Sequence, residues 1–197
     1  SDIAMWCNLN NSNDPIFLPQ SCALYLDNSP ITELVIPAGV THIRESAFYR
    51  CASITSITFP ESVMSIGATS FKGCIGLTSI TIPGNVASID AGAFSGCSAL
   101  TSVTIENGVT SIEGSAFSNC PNITSVIIPD SVTSIGKKAF YKCTALKKIT
   151  IPAKVTKIGA QAFYGDKKLV QNPPMTILSR RELDEVYSLP YTRKVHP

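Results

Sequence analysis

The sequence predicts a solenoid of α/β type, mostly β, in which six coils of 23 residues stack on one another. Phenylalanine recurs every 23 residues without a gap, at Phe48, Phe71, Phe94, Phe117, Phe140 and Phe163. Cysteines keep the same spacing from Cys51 to Cys143, and Asp166 takes the sixth place. A period of this length is typical of small units that bury their apolar side chains only against neighbouring units. With 197 residues and 44% hydrophobic composition, one continuous domain is expected.

Each coil is predicted to begin with a short strand. The coils start at Ile31, Ile54, Leu77, Leu100, Ile123 and Leu146, and Leu169 opens a seventh that is not continued. From Leu77 to Ile82, apolar residues alternate with threonine and serine, so Ile80 and Ile82 should point inward and Ser79 and Thr81 outward. Pro83 ends this strand, and neighbouring strands should lie about 4.8 Å apart.

The rest of the coil returns the chain to the next strand. Val86 and Ile89 form a second apolar pair in a stretch too short for a helix. The stretch from Asp90 to Cys97 is predicted to form one helical or 3₁₀ turn. The five cysteines in register should point into one core and remain thiols rather than form disulfides, since a buried cysteine acts as a small apolar residue. The sequence leaves open whether Cys7 and Cys22 pair.

The repeat resembles a known family. The strand pattern Leu-x-x-Ile-x-Ile is the opening of a leucine-rich repeat. The longer motif Thr-Ile-Pro-x-x-Val-x-x-Ile-Gly-x-x-Ala-Phe-x-x-Cys, clearest from Val132 to Cys143, is similar to the BspA-type leucine-rich repeats of secreted and cell-surface proteins. The likeness covers Ile31 to about Leu169. It implies a right-handed curved solenoid and an extracellular or cell-surface role in adhesion or binding.

The two ends depart from the repeat. Residues 1–30 are predicted to be an N-terminal cap whose Leu24–Leu26 pairs as an extra strand on the first coil, because an exposed solenoid end needs cover. Residues 31–169 form the solenoid, and 170–197 a C-terminal cap or tail with helical turns at 181–187. Part of this tail resembles a short stretch of YgiQ-type radical SAM proteins. The three-cysteine motif that holds that family's iron–sulfur cluster is missing, so no radical chemistry is carried over.

The sequence offers no catalytic centre, and no enzyme is predicted. His42 and His196 are the histidines of the chain, and neither lies in a triad pattern. His42 falls on an outward repeat position and should be a surface residue. Neither a Cys-x-x-Cys metal motif nor a phosphate-binding glycine loop occurs, so we expect no metal and no cofactor.

The predicted binding surface is the outward side of the strand column. Its candidate residues are Thr55, Thr58, Ser79, Thr81, Ser102, Thr104, Ser125, Lys147, Lys148 and Thr150. Short hydroxyl side chains make this surface flat, which fits an extended host or matrix protein or a glycan better than a small molecule. An alternative is that the threonines only stabilise the sheet, and that the chain is a structural spacer within a larger surface protein.

Lysine is concentrated in the last coils. The segment from Ile135 to Lys168 holds nine lysines against Asp166: Lys137, Lys138, Lys142, Lys147, Lys148, Lys154, Lys157, Lys167 and Lys168. We expect a basic patch there, which either attracts an acidic partner or serves solubility. No aromatic platform for bases is interleaved, so nucleic acid is not expected as a partner. No run of eighteen apolar residues exists, so no membrane insertion is expected.

Overall fold

The structure is a computed structural model, and it describes residues 25–26, 29–163 and 168–171 together with Ile3. Most of the predicted cap, the possible Cys7–Cys22 pair, Asp166, Lys167 and the tail with its helical turns lie outside the described residues. No helix in the described part of the chain is long and apolar enough to cross a membrane.

A short hairpin precedes the first coil. Strand β1 (Tyr25–Leu26) pairs antiparallel with β2 (Ser29–Pro30). The prediction that Leu24–Leu26 adds a strand to the first coil is therefore wrong in its pairing, because in the described residues β1 bonds to β2 alone. Only two residues separate the two strands, so an antiparallel hairpin is the pairing nearest in sequence.

The predicted strand column is present and parallel. Its strands are β3 (Glu33–Val35), β5 (Ser56–Thr58), β7 (Ser79–Ile82), β9 (Ser102–Ile105), β11 (Ser125–Ile127), β13 (Lys148–Ile151) and β15 (Lys168–Gln171). Pairing is in register, with Ile80 beside Val103 and Thr81 beside Thr104. Inward Ile80 and Ile82 are buried and outward Ser79 and Thr81 are exposed, as the alternation predicts.

A second parallel sheet was not predicted. It runs through all six coils in the order β4 (His42–Ile43), β6 (Ser65–Ile66), β8 (Ser88–Ile89), β10 (Ser111–Ile112), β12 (Ser134–Ile135) and β14 (Lys157–Ile158). Each of these strands is two residues long and supplies one inward isoleucine, such as Ile89. A strand that short has no alternation to recognise in the sequence, which is why only an apolar pair was seen.

The predicted helical turn is wrong: residues 90–97 and their equivalents form successive turns, and residues 31–163 contain no helix. In the second coil, Thr69 and Gly73 have positive φ angles of 53° and 76°. Every second backbone N–H in this segment then bonds to a carbonyl of the next coil, as Phe71 N does to Ala93 O at 2.8 Å. A helix would need every φ negative and every amide bonded within its own coil.

The core is a stack of identical side chains. The phenylalanine rings from Phe48 to Phe163 stack with centroids 5.1–5.6 Å apart. The five cysteines from Cys51 to Cys143 are buried thiols beside them. Four of these thiols donate a hydrogen bond to the carbonyl of a phenylalanine one coil earlier, for example Cys97 Sγ to Phe71 O at 3.3 Å. The thiol position is therefore both apolar filler and a bond between coils.

The end of the stack has a different register from the one expected. The 23-residue period places Leu169 beside Leu146, but in the structure Leu169 pairs with Ile149 and Lys168 with Lys148. Strand β15 thus follows β13 after 20 residues rather than 23, and the final coil is three residues shorter. The three-residue shortening lies between Phe163 and Lys168, since Phe163 still bridges Phe140 in the regular register.

Candidate functional site: the strand face

The outward side chains of the first strand column form one surface, which we call the strand face. It comprises three columns, named here by the first predicted residue of each: the Thr55, Ser79 and Thr58 columns. The structure places the ten predicted residues on it. Eight are exposed, whereas Ser102 and Thr104 in the central coil are half-buried. The prediction of which residues share this surface agrees with the fold, and their role in binding stays a prediction.

The Thr55 column has a bond of its own. Each threonine hydroxyl donates to the main-chain carbonyl of the equivalent residue one coil earlier, as in Thr55 Oγ1 to Thr32 O at 3.1 Å and Thr101 Oγ1 to Thr78 O at 3.0 Å. Thr78 and Thr124 repeat the contact. These hydroxyl protons are therefore engaged inside the protein, and a ligand would meet their remaining acceptor lone pairs. The column ends at Lys147, which cannot repeat this bond.

The strand ladder is interrupted twice. Strands β7, β9 and β11 form one hydrogen-bonded sheet, β3 and β5 a second, and β13 and β15 a third. Beside the interruptions, the inward residues of β5 and β11 are only half-buried, as Ile57 and Val126 show. The flanking positions Phe59 and Ile128 are likewise half-buried. The strand face is thus three blocks rather than one continuous sheet.

The second interruption has apolar and basic side chains on its two sides. Ile127 stands in the Thr58 column and is 57% exposed. Across the interruption, Lys147 and Lys148 are exposed on the next coil. At the other end of the same column Val35 is 58% exposed, next to Glu33. Departures from the hydroxyl pattern therefore cluster at the two ends of the strand face.

The lysines do not form one patch on one side. Lys137, Lys138 and Lys142 lie in the segment of turns that follows the second sheet, which we call the turn face: residues 44–51 and their equivalents in each later coil. Lys147 and Lys148 lie on the strand face, Lys157 on β14, and Lys154 in the turn between the two strands. The expected basic patch is therefore a collar around coils five and six, because a 23-residue coil turns through every side of the solenoid.

The histidine and cysteine residues of the described coils lie in surroundings that the fold explains. His42 is exposed, and its Nδ1 lies 2.7 Å from the Thr41 hydroxyl. Burial raises the pKa of the Cys120 thiol to about 12, with nearby Cys143 adding to the effect. No group of three or more potential metal-binding side chains occurs within the described residues.

The chain matches the family model described as "BspA type Leucine rich repeat region", in six copies, over residues 23–144 and 64–172. A leucine-rich repeat protein from Eubacterium ventriosum is similar in structure, with a TM-score of 0.60 and 25% identity over 79% of this chain and 48% of that one. A leucine rich cell surface protein from Faecalibacterium prausnitzii is 20% identical over 83% of this chain and 64% of its own, with a TM-score of 0.49. The chain therefore spans about half to two thirds of these proteins.

A separate likeness concerns a short segment. A UPF0313 protein of Clostridium botulinum is 56% identical over 32 residues, which is 16% of this chain and 5% of that protein. Such a short segment carries no activity from one protein to the other.

Proposed function

Because this chain belongs to the BspA-type leucine-rich repeat family, we propose that it is a non-catalytic binding module, displayed on a cell surface or secreted, that engages a protein or glycan through the strand face. The observation that carries the proposal is the strand face itself. Successive coils present short and mostly exposed hydroxyls from Thr55 to Thr150, together with exposed Lys147 and Lys148. Such a flat, extended surface suits a large ligand, whereas a small molecule needs a concave pocket.

The lysines at the C-terminal end of the strand face give this proposal a preference for acidic partners. Lys147 and Lys148 replace the threonine and serine of earlier coils, and exposed Ile127 lies on the coil before them. Two positive charges and an exposed apolar residue on the same surface support contact with an acidic partner that also offers apolar surface.

The test is a screen of matrix proteins and glycans on an array, followed by charge variants. Lys147→Thr with Lys148→Ser installs the residues that the repeat itself places at Thr124 and Ser125, so the fold should tolerate it. The matched control is Lys154→Ser with Lys157→Ser, which removes two charges from the same coil outside the strand face.

The expected result is that the strand-face variant loses affinity and most of its salt dependence, while the control keeps both. Affinity of the wild type should fall as the Debye length shrinks from about 10 Å at 0.1 M salt toward about 3 Å at 1 M. Equal loss in the two variants would place the site elsewhere.

A second candidate function is a structural spacer, and the Thr55 column favours it. Its hydroxyls are engaged in bonds between coils, so they serve the stack without any ligand. Binding to none of the array's proteins and glycans would support the spacer and refute the binding module.

A further inference from the structure

The turn face carries a charged cluster that the strand face does not use. In the fifth coil the Tyr141 ring lies under two ammonium groups, with Lys138 Nζ at 5.3 Å and Lys142 Nζ at 5.7 Å from its centroid. Both distances are within the range of a cation–π contact. The ring therefore holds two positive charges close together, and the exposed Lys137 is adjacent in sequence.

A cluster of the same design lies at the other end of the solenoid. In the first coil the Tyr49 ring contacts Arg50, whose Cζ is 5.4 Å from the centroid, and Lys72 Nζ of the second coil at 5.9 Å. Tyr49 and Tyr141 occupy the same repeat position four coils apart, about 20 Å at the strand spacing of roughly 4.8 Å. The intervening Ser95 and Ser118 are buried, so no large side chain separates the clusters at this position.

The positions of the cations are conformationally unfavourable, which argues for a use. Arg50 and Lys142 have φ angles of 57° and 59°. At the equivalent position, the three coils between them have Gly73, Gly96 and Asn119, the residue types that adopt positive φ most easily. A cation replaces the favourable residue at Arg50 and Lys142, each directly after a tyrosine, whereas Tyr164 of the sixth coil is followed by Gly165. Unfavourable backbone conformations often cluster at ligand-binding sites.

We propose that the turn face binds a linear anionic polysaccharide, whose sulfate or carboxylate groups contact the Tyr141 cluster and, along a longer chain, the Tyr49 cluster. This site is separate from the strand face, so it goes beyond the function proposed above.

Three observations favour a polysaccharide over other polyanions. The outward residues of the turn face around Tyr141 are mostly lysines, serines, asparagine and glutamine, and no large aliphatic side chain is exposed among them. The Tyr141 cluster holds lysine point charges, which contact sulfate oxygens without the planar fork that arginine presents to carboxylate and phosphate. Each tyrosine ring is engaged with cations, which leaves no open aromatic platform for stacking bases.

The experiment measures heparin oligosaccharide binding by calorimetry at physiological salt. Lys138→Ser with Lys142→Asn installs the residues found at Ser115 and Asn119, the same positions one coil earlier. We expect this variant to lose about tenfold or more in affinity, while its urea unfolding midpoint stays equal or rises because Asn tolerates positive φ. The control, Lys154→Ser with Lys157→Ser, removes two charges of the same collar and should lose about twofold or less.

Equal loss in both variants would show that the collar's total charge attracts heparin, and would overturn the site. Displacement of heparin by polyglutamate or duplex DNA at equal charge concentration would overturn the assignment to a polysaccharide.

Arg50→Gly tests whether one ligand spans the Tyr141 and Tyr49 clusters. It should weaken the binding of a long oligosaccharide and leave the binding of a disaccharide unaffected. Equal effects on both lengths would remove the Tyr49 cluster from the proposal. None of these outcomes bears on ligand binding by the strand face.

Discussion

Ser70 is the hydroxyl residue in a column of buried alanines. The equivalent residues are Ala47, Ala93, Ala116, Ala139 and Ala162. Ser70 is fully buried, and its Oγ has no hydrogen-bond partner in the described structure. A buried hydroxyl that has lost water without gaining a partner costs about 1–3 kcal/mol. The regular alanine is therefore the residue that the stack favours at this position.

Ser70→Ala should raise the free energy of unfolding by about 1 kcal/mol, because it removes an unsatisfied polar atom and leaves the methyl-sized volume filled. Urea denaturation measures the change. The reverse control is Ala93→Ser, which puts a hydroxyl into the same column one coil later and should destabilise by a similar amount. Loss of stability in Ser70→Ala would mean that the hydroxyl makes a bond, for example to a buried water.

The cysteine ladder makes stability depend on alkaline pH. Desolvation by burial raises the pKa of Cys97 well above 9.0, and it raises that of Cys120 to about 12. A thiol whose pKa is higher in the folded state stabilises the fold fully below the pKa of the unfolded thiol. That contribution is lost as pH rises from about 9 toward the folded value.

The free energy of unfolding should therefore decline above about pH 9, by up to about 1.4 kcal/mol per pH unit for each buried thiol. Cys97→Ala with Cys120→Ala should reduce this decline relative to wild type, and urea unfolding at a series of pH values measures both slopes. Tyrosine and lysine titrations are common to the two proteins and cancel in the comparison. Identical slopes would contradict the prediction.

Among the structural elements, the phenylalanine stack has one member in every coil, as the second sheet does. Phe94 is fully buried, with Phe71 at 5.2 Å and Phe117 at 5.4 Å in nearly parallel planes. Its neighbours are held by their own coils and cannot close on a cavity, so they would stay where they are after truncation.

Phe94→Ala should lower the free energy of unfolding by about 3–5 kcal/mol in chemical denaturation. The control is Phe59→Ile, which installs the residue found at Ile82 and Ile105, because half-buried Phe59 meets Phe71 only edge-on at 5.9 Å. That variant should cost less than half as much as Phe94→Ala. A loss below about 1 kcal/mol for Phe94→Ala would mean that the stack does not support the fold.

Sequence reasoning predicted the elements that have a period and enough residues to reveal it. The alternation around Ile80 placed the first strand and its two faces correctly. The second strand of each coil was missed because two residues show no alternation. The turns after Asp90 differ from the predicted helical turn because nothing in the identity of residues such as Thr69 indicates a positive φ. Gly73 and Gly96, which recur at one repeat position, are the signal in the sequence for positive φ.

The candidate site was predictable to a similar degree. Outward positions such as Thr81 and Lys148 follow from strand alternation. The bond from Thr55 to Thr32 was not predictable, since it depends on the distance between coils. The spread of lysines over several faces was also missed, because it depends on where the chain turns within each coil.

At the scale of the whole molecule, two sheets share the same six coils but differ in continuity. The second sheet joins β4 to β14 without interruption, whereas the strand column is divided into three blocks. Interactions in a solenoid are mostly between nearest neighbours, so the stability of each junction is set locally. The junctions between β5 and β7 and between β11 and β13 therefore have the second sheet alone, and the junction between β13 and β15 has the strand column alone. The other junctions have both sheets.

Unequal junctions give the protein a defined response to mechanical force. When the chain is pulled between residues 29 and 171 in an optical trap, β15 should detach first, because one sheet alone holds it. The sixth coil should follow at the junction of β11 and β13 and extend the chain by about 80 Å for 23 residues. The block of β7, β9 and β11 should resist to the highest force. A single rupture of the whole solenoid would contradict this order. A protein that lengthens in steps limits the tension that is transmitted from one of its ends to the other.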